Sequence, residues 1–224
     1  MIDQIERWNK GHRGIPKDKS VSNYAIEKER LFPSNARVLD LGGGTGADSI
    51  YFLQHNHVVT LVDISDFALT AAKEKAAELG HPLTTLRITL GEEPLTLVDN
   101  SAEVIFSRLA LHYFDRNTTV SIFKDMNRIL VQNGNAYITI KSPDDKKEMD
   151  FLKETAEEIE EGVFIDDGET KSRFTDAQWE DILKAAGITK FTVRPYKEDM
   201  TGKIDKVKSG NLQMTFTEIL LSKV

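Results

Sequence analysis

Asp40 stands two residues ahead of a glycine run, in the order Asp40-Leu41-Gly42-Gly43-Gly44-Thr45-Gly46. Glycines at 42, 44 and 46 let the backbone turn sharply and approach a ligand with no Cβ in between. A helix starting just behind them offers unpaired N–H groups at its first turn. A second acid, Asp63, closes the run His57-Val58-Val59-Thr60-Leu61-Val62-Asp63, where a carboxylate can accept hydrogen bonds from sugar hydroxyls. A glycine turn alone is weak evidence, because a structural turn has the same composition. Strand, glycine turn, helix and acid-ended strand together describe a nucleoside-binding edge. Further along, Glu92 and Glu93 follow Leu90-Gly91, and His112 sits with Tyr113 in Leu109-Ala110-Leu111-His112-Tyr113-Phe114. Of the five histidines, His112 is the one expected at that edge, and an imidazole there is a candidate general base. His55 and His57 belong to the opposite edge as surface residues, and His12 and His81 to polar loops.

These residues need a frame, and the chain alternates strand and helix. Apolar runs at 37–41, 57–63, 86–90, 102–107 and 136–141 predict five strands, separated by helical spacing at 47–54, 66–79 and 120–130. Ser65 is placed to cap the second of those helices. Strands joined by helices imply a parallel sheet with right-handed crossovers. The end of the chain departs from this rhythm. Residues 145–161 read as an acidic amphipathic helix, and 175–186 as a helix opened by a capping box of Thr175 and Gln178. Two β-rich runs, 188–196 and 212–223, then follow with no helix between them, so they pair antiparallel.

The expected fold is therefore α/β and doubly wound: a mostly parallel seven-stranded sheet with an antiparallel C-terminal hairpin and helices on both faces. One domain spans 1–224. Within it, 1–30 is a helical lid segment, 36–141 the ligand-binding core, 142–187 a helical insertion and 188–224 the hairpin. A chain of 224 residues suits one large domain better than two small ones. Without cysteine there is no disulfide, thiolate nucleophile or Cys-ligated metal. No HExxH spacing suggests zinc and no G-x-S-x-G elbow suggests an α/β hydrolase; the expected metal is none. The net charge of −7 opposes a nucleic-acid partner. Its one basic run, Lys203-Ile204-Asp205-Lys206-Val207-Lys208, reads as a solvated loop. No apolar run is long enough to cross a bilayer and the N-terminus lacks a secretory signal, so the expected location is cytoplasmic. Oligomeric state leaves no trace in the sequence.

The segment Val38-Leu39-Asp40-Leu41-Gly42-Gly43-Gly44-Thr45-Gly46-Ala47-Asp48-Ser49 resembles the first motif of class I S-adenosylmethionine-dependent methyltransferases, and Leu61-Val62-Asp63-Ile64-Ser65 resembles the second. The resemblance extends over about residues 36 to 224. It implies S-adenosylmethionine as cofactor and a small-molecule methyl acceptor as partner. Asp40 would orient the methionine end, Gly42, Gly43, Gly44 and Gly46 would lie along the cofactor, Asp63 would hold the ribose, and Ile64 would pack on adenine. Relatives carry an aspartate after the third strand that binds the adenine amino group. Here Glu92, with Glu93 close behind, takes that place. Ser107 and Arg108, ending the fourth strand, complete the cofactor set, and Arg173 is a candidate contact for an anionic substrate. Two rivals stand beside this reading. Gly42, Gly44 and Ala47 also satisfy G-x-G-x-x-A, which with Asp63 suits an NAD-dependent oxidoreductase. A non-catalytic S-adenosylmethionine-binding protein on the same fold is the other.

Overall fold

The computed structural model describes residues 4–15, 20–200 and 213–224. Two helices, α1 (Gln4–Arg13) and α2 (Asn23–Glu29), precede the alternating core. That core runs β1 (Arg37–Leu41), α3 (Ala47–Gln54), β2 (Val58–Asp63), α4 (Asp66–Glu78), β3 (Thr84–Arg87), β4 (Ala102–Arg108), α5 (Arg116–Ile129) and β5 (Leu130–Lys141). There follow α6 (Lys146–Thr155), β6 (Glu157–Glu160), β7 (Val163–Asp166), β8 (Glu169–Ser172), α7 (Asp176–Ala185), β9 (Phe191–Asp199) and β10 (Gln213–Ser222). The basic run at 203–208 lies outside the described residues. Among the described residues, no helix is long and apolar enough to cross a membrane.

Seven strands form one sheet in the order β3-β2-β1-β4-β5-β10-β9, with β10 antiparallel to both of its neighbours. The chain leaves β1 toward β2 on one side and later returns to β4 on the other, so β1 and β4 flank the switch point where a ligand crevice opens. Alternation along the strands separates two cores. Leu39, Leu41, Ile105 and Ile138 face α5 and α7, burying Phe123, Met126 and Trp179. Val38, Leu61, Val104 and Phe106 face the other way, onto Tyr24, Phe52, Leu69 and Ala72 of α2, α3 and α4. Ser65 caps α4 by accepting from Ala68 N at 3.1 Å. On α7 the reciprocal capping box of Thr175 and Gln178 is present. Thr175→Ala should lower stability by about 1 kcal/mol, seen as a lower urea midpoint at unchanged slope.

The segment 142–187 is not purely helical. α6 stops at Thr155, Ala156 is extended, and β6, β7 and β8 make a separate antiparallel sheet before α7. The acidic charges from Glu154 to Glu161 suggested a continued helix, but the chain behind them carries the signs of strands. Val163, Phe164 and Ile165 favour a pleated surface. Asp167 and Gly168 both take positive φ, 49° and 73°, the tight turn that an Asp-Gly pair makes between two strands. Two smaller shifts concern strand ends. β3 ends at Arg87, leaving Ile88 and Leu90 to line the crevice instead of extending the strand. β5 begins at Leu130, ahead of the expected start at 136, and takes in Asn133-Gly134-Asn135 with an irregularity opposite Ala102 and Val104.

Candidate active site

The glycine turn leaves β1 and enters α3 over the carboxyl edge of the sheet. Gly42 sits at φ 70°, and a Cβ there would lie 2.3 Å from Ala110 Cβ. That contact is impossible, so the turn and the strap after β4 meet only because residue 42 has no side chain. Asp40 acts from beneath. It is buried, it accepts from Ser49 Oγ at 2.6 Å, and its Oδ2 would meet a Cβ on Gly43 at 2.4 Å. Gly46 serves packing: a Cβ there would be 2.8 Å from Ala72 Cβ, so glycine is what lets α3 and α4 approach. Gly46 does not line the crevice, whereas Asp40, Gly42, Gly43 and Gly44 do.

Asp63 ends β2 opposite this turn. Its Oδ2 accepts from Gly44 N and its Oδ1 from Ser65 N, each at 2.9 Å. A carboxylate offers about four acceptor positions, so both oxygens keep capacity toward the crevice, whose wall also includes Ile64. α1 lies across the opening. Asn9 Oδ1 accepts from Ser65 Oγ at 2.7 Å and from Phe67 N at 3.2 Å, fixing the helix to the start of α4. Its His12 Nε2 is 3.8 Å from Asp63 Oδ1, and its ring would touch a Cβ on Gly44 at 2.9 Å. His12 is thus a buried helical residue over the glycine turn, not a residue of a polar loop. Its proximity was missed because nothing in the local sequence ties α1 to the turn. His57 is likewise buried, accepting from Ala36 N at 3.1 Å.

The end of β4 supplies another wall. Ser107 is turned inward, donating to Leu41 O at 2.8 Å; it ties β4 to β1 and does not reach the crevice. Arg108 does reach it, with Nη2 2.9 Å from Glu198 Oε2, while its buried Nε has no hydrogen-bond partner. Leu109 then takes φ 56°, a region a leucine rarely visits, held by its N–H to Thr139 O at 2.8 Å. This turn sets Ala110 against Gly42. After β3 the two glutamates part. Glu92 lines the crevice, whereas Glu93 folds back to accept from Thr89 N at 2.7 Å and Arg87 Nη2 at 3.2 Å. Those bonds, the backbone one foremost, hold the Glu93 carboxyl below its ordinary range.

His112 does not line the crevice; Tyr113 beside it does. The imidazole is 2 % exposed with no hydrogen bond to Nδ1. Burial first, then the cations Arg173, Lys141 and Lys171, push its pKa well down. A neutral, enclosed imidazole has no path to an acceptor, so the geometry gives no support to His112 as a base. Arg173 is also withdrawn, 3 % exposed and paired with Glu148. The sign of the His112 shift yields a test. Below about pH 6.5 the unfolded chain takes up a proton here that the folded chain refuses, so stability falls as pH drops, by at most about 1.4 kcal/mol per unit from this group. His112→Leu should remove that part: between pH 7.5 and 5.5, urea melts should show the wild type losing about 1 kcal/mol more than the variant.

The whole crevice measures about 860 Å³ and is roofed by Gln4, Trp8 and His12 of α1. Residues 38–134 match the model of a family described as a methyltransferase domain. No curated protein matches the chain in sequence. Among solved structures, one of a protein that converts a disulfide bond into a thioacetal group during echinomycin biosynthesis is 19% identical, with a TM-score of 0.72 over 99% of this chain and 92% of that one. An S-adenosylmethionine-dependent methyltransferase from Methanosarcina mazei is 16% identical, with a TM-score of 0.71 over 92% of this chain and 99% of that one. The 1,6-didemethyltoxoflavin-N1-methyltransferase of Burkholderia thailandensis, with bound 1,6-didemethyltoxoflavin and S-adenosylhomocysteine, is 18% identical. Its TM-score is 0.66 over 98% of this chain and 85% of that one. At these identities the likeness is one of fold.

Proposed function

We propose, from the match of residues 38–134 to a methyltransferase domain and the fold shared with S-adenosylmethionine-dependent methyltransferases, that the chain is of their class I family and transfers a methyl group from S-adenosylmethionine to a small molecule. One observation carries this reading: Asp63 is bonded to a glycine turn that tolerates no Cβ, and the two together line a crevice large enough for both reactants. The residues present fit the cofactor. Asp63 would hold the ribose hydroxyls, Ile64 the adenine face and Glu92 the adenine amino group, with Gly42 to Gly44 as the floor. Asp40 keeps that floor in shape through its buried carboxylate and Ser49. The sheet order also favours this reading over a dehydrogenase, because an antiparallel β10 replaces the sixth parallel strand of the dinucleotide fold.

When bound, S-adenosylmethionine supplies a methyl group already activated on a positively charged sulfur. The protein's contribution is then alignment and exclusion of water. α1 supplies part of both by roofing the crevice, and its Asn9 anchors it to α4. A crevice of about 860 Å³ partly roofed by α1 and a chain charge of −7 support a small acceptor over a nucleic acid. Calorimetric titration with S-adenosylmethionine, S-adenosylhomocysteine and NAD tests the reading. Micromolar binding of the two adenosyl compounds and none of NAD is expected; NAD binding alone would move Asp63 into a dehydrogenase. Methyl transfer to no member of a metabolite extract, with the cofactor bound, would leave a binding protein instead.

A further inference from the structure

Beyond the cofactor half, the crevice continues between α1 and β8. Its wall there is Trp8, Tyr113, Phe114, Glu169 and Thr170. The Trp8 and Tyr113 rings meet edge to face, centroids 5.0 Å apart, giving a rigid aromatic corner. Other carboxylates on the crevice wall outside the cofactor half are already engaged. Asp48 accepts from Ser22 N at 2.7 Å and Ser22 Oγ at 2.9 Å, and Asp115 accepts from Thr118 N at 2.8 Å. Glu169 differs. Among the described residues its side chain makes no hydrogen bond, and its nearest cation, Lys171 Nζ, is 4.0 Å away.

The surrounding charges sharpen the point. Lys171 and Arg7 are the cations acting on Glu169, and Asp166 and Asp167 the neighbouring anions. Lys171 is taken up by Asp166 at 2.5 Å, and Arg7 by the backbone carbonyl and carboxylate of Asp167. Among the described residues, two cations against three carboxylates leave one negative charge in excess, and Glu169, whose ion pair with Lys171 is the long one at 4.0 Å, is the carboxylate facing the crevice. A largely buried carboxylate that accepts no hydrogen bond from the described residues is costly unless something arrives to donate to it. Burial accordingly raises its pKa, and burial first, with Glu169 next, pushes the Tyr113 phenol up to about 12.

We propose that Glu169 selects the methyl acceptor, holding an ammonium or N–H group of a flat aromatic amine whose ring lies against Trp8 and Tyr113. This rests on the methyl-transfer reading only for the word acceptor; the binding preference itself does not. A protonated amine restores the charge balance at Glu169, and an aromatic face next to Trp8 and Tyr113 adds cation–π and stacking attraction. An anionic acceptor of the same size meets a carboxylate whose ion pair, with Lys171, spans 4.0 Å.

The test uses the full-length chain and two probes of matched shape, tryptamine and indole-3-propionate, titrated by calorimetry with and without S-adenosylhomocysteine. The wild type should bind tryptamine at least tenfold more tightly than indole-3-propionate. Glu169→Gln, which keeps the shape of the side chain, should erase that gap and leave S-adenosylhomocysteine affinity unchanged. Equal affinity for the two probes, no binding of either, or a gap that survives in the variant overturns the assignment. If S-adenosylhomocysteine binds neither protein while the tryptamine preference stands, it is the cofactor reading that fails and not this one.

Discussion

Asp63→Ala should bind S-adenosylhomocysteine about a hundredfold more weakly than the wild type. Two charge-assisted hydrogen bonds to ribose hydroxyls would be lost, each contributing about 1.5 kcal/mol or more, and about 2.7 kcal/mol is a hundredfold in affinity. The same truncation strips acceptors from Gly44 N and Ser65 N, which now bond the carboxylate at 2.9 Å. The glycine turn would therefore loosen as well, and a control is needed to separate the two effects. Asp63→Asn supplies it, since its amide oxygen can still accept from one of those N–H groups while the negative charge is gone. An intermediate loss of about tenfold is expected there, with thermal stability closer to the wild type than that of the alanine variant. Calorimetry on the three proteins reads the ladder. Unchanged affinity in Asp63→Ala would remove the ribose assignment and leave Asp63 as a brace for the turn.

The ease with which this site is read from sequence has a local cause. Asp40, the glycines and Asp63 are each fixed by strand–turn–helix geometry within their own neighbourhood, so spacing alone places them together. The same locality explains Ser65 and the Thr175 capping box, where side chain and backbone are three residues apart. What stayed hidden depends on distant parts of the chain. His12 lies over Gly44 because Asn9 docks α1 on α4, a contact between segments with no shared pattern. Ser107 and Arg108 are adjacent, yet the pleat sends one inward to Leu41 O and the other to the crevice. His112 and Tyr113, in the turn after β4, also divide, one buried and the other on the crevice wall. Glu169 was overlooked for a different reason: in an acidic stretch one carboxylate resembles the next, and only the pairing of Lys171 and Arg7 with other partners sets it apart. The Asp167-Gly168 turn was legible by its composition but was masked by the charge run ahead of it.

A second large effect is expected far from the glycine turn, where α2 meets the C-terminal strands. Lys28 is 2 % exposed, and its Nζ lies 2.7 Å from both Glu27 Oε1 and Glu218 Oε1. Glu218 on β10 is fully buried and also pairs with Arg194 Nε of β9 at 2.6 Å. Two cations and two carboxylates thus balance in a chain, roofed by the Tyr24 and Tyr196 rings, 5.2 and 5.9 Å from the ammonium. Burial first, then the neighbouring carboxylates, push both phenols up, which keeps them neutral. Removing one member leaves a buried charge without its partner, so Lys28→Met or Glu218→Leu should each cost about 3–5 kcal/mol. The double variant replaces the central pair by apolar groups and should recover most of that, while Arg194, half exposed, turns to solvent. Urea unfolding of the four proteins closes the cycle, with a coupling of about 2 kcal/mol or more expected. Additive losses would mean that each side chain acts through packing alone. The consequence reaches the crevice, because α2 is capped by Ser22, whose backbone and hydroxyl hold Asp48 on the crevice wall. A single variant that still folds should therefore bind S-adenosylhomocysteine more weakly than the more stable double variant, although neither position touches the cofactor.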